Sequence, residues 1–245
     1  SLCQTFHLDL LELRRLFRTF RSLSHTEWPL TPHPFSKVRG MLSQSVATAL
    51  RQEMSAGNFQ PGEQLSEVKV AEQFGCSRNT LREAFTTLAA ERLVERIPHR
   101  GVFIATPDAA YIRDLFAARA AIEPAAARWG AFADAPSLIS LASSAFECAR
   151  RDKHQEVSSI NQRFHQALVA GLDSPTLDEQ MSNLLARMRL TFLLVIPRYP
   201  QLHAEHIQGN VDVATLIAEG KREEATTRLR DSLLETCDTI LSFTD

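Results

Sequence analysis

Glycine is scarce in this chain, 9 of 245 residues, and that argues against a loop-rich or all-β protein. Cysteine is scarcer. Cys3, Cys76, Cys148 and Cys237 lie far apart, with no CxxC and no short Cys/His spacing, so neither a zinc finger nor a disulfide framework is indicated. Free thiols in a reducing cytoplasm are the expectation. No apolar run approaches the roughly 18–20 residues that a membrane span needs. The first 34 residues also lack the uninterrupted apolar region and small-residue cleavage site of a signal peptide. There is no HExxH, GxSxG or P-loop, which removes the commonest signatures of hydrolases and nucleotide enzymes.

What remains is an ordinary soluble composition, 44% apolar and 23% charged, with long runs of Ala, Leu, Arg and Glu that favour helix. The net charge of −2 hides an asymmetry. Residues 35–105 hold nine Lys and Arg against seven Asp and Glu, whereas residues 106–245 hold fourteen against nineteen. A mildly basic front and an acidic rear suit a nucleic-acid reader joined to something else.

Three segments follow from the pattern. Residues 1–34 form an N-terminal extension, with an Arg-rich amphipathic stretch from Leu8 to Leu23 and a proline-bearing linker from His25 to Pro34. Residues 35–105 read as helix, helix, helix and hairpin. Val38, Met41, Leu42, Val46, Leu50 and Met54 mark one face of the first helix. Ser66 and Ser77 stand where the caps of two shorter helices belong, and Gly75 supplies the turn between them. Leu93–Arg96 and Val102–Ala105 read as a hairpin around residues 97–101. From Thr106-Pro107, a cap followed by proline at the first helical position, the remainder reads as helix throughout. Helical patterns fall near 107–133, 136–150, 153–172, 175–196, 200–219 and 221–243. The expected fold is therefore mainly α: a winged helix-turn-helix with a small hairpin, then an all-α bundle.

The helix opening at Ser77 carries the chemistry of a major-groove reader. Arg78 and Arg82 lie one turn apart on one face and can reach phosphate or guanine O6/N7. Ser77, Asn79 and Thr80 add short donors at a helix start whose free amides attract phosphate. The hairpin tip presents His99, Arg100 and Gly101, a basic point whose glycine permits close approach to a minor groove.

These residues also carry a family resemblance. The runs Pro61-Gly62-Glu63-Gln64-Leu65-Ser66-Glu67 and Phe74-Gly75-Cys76-Ser77-Arg78-Asn79-Thr80-Leu81-Arg82-Glu83-Ala84, with Leu93-Val94 and Arg100-Gly101-Val102, resemble the DNA-binding domain of the GntR family. Cys76, Asn79, Leu81 and Arg92 depart from the usual pattern, Arg92 standing where a glycine is usual. The resemblance implies that Arg78, Thr80 and Arg82 contact an operator and that Gly101 lets the wing into the minor groove.

The rear half resembles the FadR branch of that family, on Arg119-Ala120-Ala121-Ile122-Glu123 and Asn161-Gln162-Arg163-Phe164-His165. That branch carries a helical effector domain, and many members hold a divalent metal there with an Asp and three His. Here those positions fall on Asn161, His165, Asn210 and Ser232, with His206 one turn before Asn210 as a substitute. Neutral Asn and Ser are poor ligands for zinc-like ions, so a polar pocket for an organic ligand is the expectation, with Asn161, His165 and His206 as residual metal candidates. Arg119, Glu123, Asn161, His165, Arg189, Phe192 and Asn210 are the candidate effector contacts, Arg189 with Phe192 the preferred pair. Arg119 and Glu123, i and i+4, equally make a plain intrahelical ion pair.

The reading that follows is a cytoplasmic homodimer that binds palindromic half-sites on double-stranded DNA. A small, acidic metabolite in the bundle modulates it, with repression the default sign. Two alternatives stay open: an architectural DNA-binding dimer without effector, and a metal-dependent hydrolase using His165, His203 and His206.

Overall fold

The computed structural model describes residues 43–244. The N-terminal extension and the expected helix positions Val38, Met41 and Leu42 lie outside the described residues. The described part holds nine helices and three short strands: α1 (Ser43–Ala56), β1 (Gln64–Leu65), α2 (Glu67–Gln73), α3 (Arg78–Ala90), β2 (Val94–Ile97), β3 (Gly101–Ile104), α4 (Ala109–Trp129), α5 (Ala135–Arg150), α6 (His154–Ala170), α7 (Pro175–Val195), α8 (Leu202–Ala218) and α9 (Arg222–Leu241).

The front is a winged helix-turn-helix. Ser66 caps α2 and Ser77 caps α3, each hydroxyl accepting from the amide three residues on. Gly75, at φ 61°, makes the turn between them. Buried Val46, Leu50 and Met54 of α1 belong to one core with Leu81, Phe85 and Leu88 of α3. Arg51 is also buried, and its Nε donates to Glu91 Oε2 at 2.8 Å, tying α1 to the end of α3. The hairpin lies one residue from its expected place. The sheet has a third strand that the sequence pattern did not reveal, β1, which pairs with β3 through Gln64 with Phe103 and Leu65 with Val102. Two residues after a Pro-Gly turn carry no alternation to read.

Arg92 follows the end of α3 with φ 61°, the left-handed conformation that costs a non-glycine residue roughly 1–2 kcal/mol. Its side chain offsets part of this. Nη1 meets Asp114 Oδ2 at 2.8 Å, and the guanidinium stands 5.2 Å from the Tyr111 ring centroid.

The rear is all helix. Asp108 caps α4, accepting from Tyr111 N at 2.7 Å, so Thr106-Pro107 ends the linker and does not open the helix. Ser174 caps α7 with Pro175 at its first position. Helix α7 is buried continuously from Leu184 to Phe192. Its Ala186 and Leu190, and Tyr111 of α4, join the winged-helix core, while Leu184, Leu185, Met188 and Phe192 join the bundle core. The two cores thus share α7.

Candidate DNA-reading face and sensor cavity

At the start of α3, Ser77 has extended backbone (φ −72°, ψ 154°). Its Oγ accepts from Thr80 N at 3.1 Å and lies 2.8 Å from Thr80 Oγ1. The cap holds both hydroxyls at the helix mouth. Arg78, Asn79 and Arg82 are exposed, while Leu81, Ala84, Phe85 and Leu88 form the buried face of α3. The two arginines differ. Arg82 Nε donates to Glu67 Oε2 at 3.0 Å and Oε1 at 3.2 Å, so α2 holds it in place, and this bond with the Glu67 charge raises its pKa. No ion pair involving Arg78 occurs among the described residues.

At the wing tip, His99 (φ 61°) and Gly101 (φ 110°) both take positive φ. Gln64 Nε2 donates to Arg100 O at 2.8 Å, and the Arg100 guanidinium sits 5.6 Å from the Phe103 ring centroid. Strand β1 therefore braces the tip from beneath. All three tip residues are exposed.

In the bundle, a small cavity of about 30 Å³ is lined by polar Arg119, Asn161, His165, His206, Asn210, Ser232 and Thr236 and by apolar Met188, Phe192, Leu229 and Leu233. Of the expected effector contacts, Arg119, Asn161, His165, Phe192 and Asn210 meet there. Glu123, wholly buried, lies behind them. Arg119 Nε donates to Glu123 Oε1 at 2.6 Å, and His165 Nδ1 lies 2.7 Å from Oε2, off the line of a good hydrogen bond. Burial pushes the Glu123 carboxyl up, but Arg119 and His165 together outweigh it and hold it at about 2. Arg119 and Glu123 are thus a buried structural pair whose cation also faces the cavity. Arg119 Nη1 ends on Met188 Sδ at 2.9 Å, a weak acceptor.

Arg189 is not in the cavity. It points the other way, toward the end of α1, with Nη2 3.4 Å from Ala56 O. Because α7 is buried on every side from Leu184 to Phe192, the residue after Met188 faces the winged helix, not the pocket. Arg187 likewise leaves the bundle, meeting Asp114 Oδ2 at 2.8 Å and the Tyr111 ring at 4.5 Å. These contacts hold the Asp114 carboxyl below its usual range, the Arg187 hydrogen bond foremost. His203, which the sequence offered only to the hydrolase alternative, is 1% exposed with neither ring nitrogen partnered. Burial, and then Arg189, push its pKa down to about 3. His206 lines the cavity with an unpartnered Nε2, its pKa lowered by burial to about 4.

The four positions where the resemblance implies a metal do converge, all lining the cavity. Their chemistry does not fit a divalent cation. Asn161 Oδ1 accepts from Asn210 Nδ2 at 3.3 Å, and Asn161 Nδ2 donates to His203 O at 3.3 Å. The nearby carboxylate is committed to Arg119 and His165, and the Arg119 cation shares the space. Among the described residues no group of three or more His, Cys, Asp and Glu can hold a metal.

Residues 42–104 match the family described as bacterial regulatory proteins, gntR family, and residues 114–234 match the FCD domain. The repressor GlaR of Escherichia coli is 31% identical over 181 residues, covering 69% of this chain and 82% of that protein. The chain belongs to the GntR family. Within it, this regulator carries the FCD effector-binding domain behind its winged helix. An HTH-type transcriptional regulator from the ttuE-ttuC' intergenic region of Agrobacterium vitis is 33% identical, over 50% of this chain and 75% of the relative. The crystal structure of a GntR transcriptional regulator from Rhodococcus sp. RHA1 superposes with a TM-score of 0.70 at 30% identity, covering 82% of this chain and 97% of that one. McbR/YncC of E. coli, at 18% identity and a TM-score of 0.68, shares the fold. The family's members are transcriptional regulators, and no helix among the described residues is long and apolar enough to cross a membrane.

Proposed function

We propose that this GntR regulator is a cytoplasmic homodimeric repressor that releases its operator when a small carboxylate fills the bundle cavity. The observation that carries the ligand class is Arg119. Its Nη1 is buried on a thioether sulfur, and a carboxylate oxygen is a far better partner for a guanidinium. Asn161, Asn210, Ser232 and Thr236 offer neutral hydrogen bonds, and Met188, Phe192, Leu229 and Leu233 suit a short apolar body. One relative, 27% identical over 60% of this chain and 74% of its own length, is the galactonate operon repressor of E. coli; galactonate is a hydroxylated monocarboxylate. On the DNA side, Ser77, Arg78, Asn79, Thr80 and Arg82 enter the major groove and His99, Arg100 and Gly101 the minor. Two copies place their α3 helices roughly 34–36 Å apart, one turn of DNA. The ligand acts only if it binds one arrangement more tightly than the other.

The test is a fluorescence anisotropy titration of the full chain on DNA from upstream of its own gene. Affinity falls steeply with salt and exceeds that for scrambled DNA. A carboxylate that raises Tm also weakens the complex. Binding that ignores both salt and sequence refutes the proposal.

A further inference from the structure

Among the described residues, Arg189 is a buried cation with no anion. It is 5% exposed, and no ion pair involves it among the described residues. Nη1 donates to Ser158 Oγ, Nη2 lies 3.4 Å from Ala56 O, and Nε has no acceptor. A desolvated charge without a counter-ion is costly to keep, so its position calls for a reason.

The stand-in for a carboxylate is the end of a helix. Ala56 closes α1, and Gly57 turns the chain away at φ 85°. Gly57 N and Asn58 N return to Met54 O and Glu53 O, each at 3.0 Å. Ala56 O instead faces the sensor domain, where Gln155 Nε2 also reaches it at 3.2 Å. Carbonyls at a helix C-terminus carry partial negative charge and favour a cation. Gly57 supplies the room: a Cβ there would stand 2.6 Å from Arg189 Nη2 and 2.7 Å from Nε. A guanidinium of the sensor domain thus rests on the bare Cα of the DNA-reading domain.

The helix that carries it also lines the cavity. Met188 accepts from Arg119, and Phe192 walls the cavity and packs 5.0 Å from the His203 ring. A helix moves as a body, so an occupant that takes Arg119 off Met188 or displaces Phe192 carries Arg189 with it. The Ala56 contact, at 3.4 Å, is already near the outer limit of a hydrogen bond, and yields to a small displacement. On the far side, α1 packs on α3 and is tied to it by Arg51 and Glu91.

We propose that Arg189 is the positioning residue that transmits occupancy of the cavity to α1, and through it to the recognition helix. This rests on the effector reading above. The test needs no identified ligand, because Ser232→Phe places a ring in the cavity as a fixed occupant. Operator affinity of the full chain is measured for wild type, S232F, R189M and S232F/R189M. R189K is a gentler second background, because an ammonium cannot span Ser158 and Ala56 as a fork does. The expected result is that S232F weakens operator binding tenfold or more. R189M alone changes it by less than threefold, and in R189M or R189K the S232F effect shrinks below threefold. A merely structural role for Arg189 would leave the S232F ratio unchanged in both backgrounds, and that result overturns the proposal alone. If wild type binds its operator and S232F leaves affinity unaltered, the effector reading fails as well.

Discussion

The two arginines of the recognition helix sit in different environments, and that difference predicts different losses. Arg82 is held by Glu67 at 3.0 Å. An Arg carries about 2 kcal/mol of rotamer entropy, so a side chain already held loses less on binding, which suits directional contact with a base. Arg78 has no such tether and suits phosphate. In a two-fold complex each change is made twice. R78A then removes two phosphate contacts and lowers the slope of log Kd against log salt by about 1.8. Between 50 and 200 mM salt the variant loses about tenfold less affinity than wild type. Cognate and scrambled duplexes are affected alike. R82A instead costs about 1–3 kcal/mol of discrimination per half-site and narrows the gap between the two duplexes. E67Q should reproduce a fraction of that narrowing, because an exposed ion pair contributes little. The assay is anisotropy on both duplexes across a salt series. Equal losses on cognate and scrambled DNA for R82A, with an unchanged salt slope for R78A, would refute the assignment.

Further outcomes can be checked in solution. E123Q removes a carboxylate held at about 2 against an ordinary 4.5 and should cost about 3 kcal/mol in urea unfolding at pH 7. In wild type that contribution is complete above pH 4.5 and disappears as pH falls from 4.5 toward 2, so the variant shows a flatter acid profile there. His203 is neutral when folded, whereas the unfolded chain takes up its proton below about pH 6.5. H203L should therefore raise stability at pH 7 by about 1 kcal/mol or more, as two unpartnered buried nitrogens disappear, and should weaken the loss of stability between pH 6.5 and 3. Zinc should leave the Tm of wild type unchanged, whereas N161D/N210H/S232H should acquire zinc measurable by mass spectrometry. R92G exchanges a left-handed arginine for a glycine. Tm should hold or rise, since the conformational relief matches or exceeds an exposed ion pair.

The front of the molecule was legible because its signals are local. Ser66, Gly75 and Ser77 each act within three or four residues, and the apolar faces of α1 and α3 repeat with helical period. The bundle's helices were legible for the same reason. Spacing also put Asn161 and His165 on one helix face, whereas Asn210 and Ser232 were placed beside them only by the family resemblance. Arg189 was not. An amphipathic helix announces which side faces inward, but α7 is buried on every side from Leu184 to Phe192 and its sequence has no polar face to set the phase. His203 was weighed only as a possible ligand for an enzyme, since nothing in its neighbours in sequence reveals that it packs on Phe192. Strand β1 was hidden because its pairing depends on a partner nearly forty residues away.

Ala186 and Leu190 contribute side chains to the winged-helix core although they belong to α7. Cutting the chain after residue 105 therefore leaves the reading head with a bare apolar wound. Grafting a foreign head onto this bundle would leave those two side chains facing a surface not shaped to receive them. This regulator is not two cassettes joined by a tether: a new head for its bundle needs matched changes along one helix, and exchange by simple recombination at the linker should rarely yield a working protein.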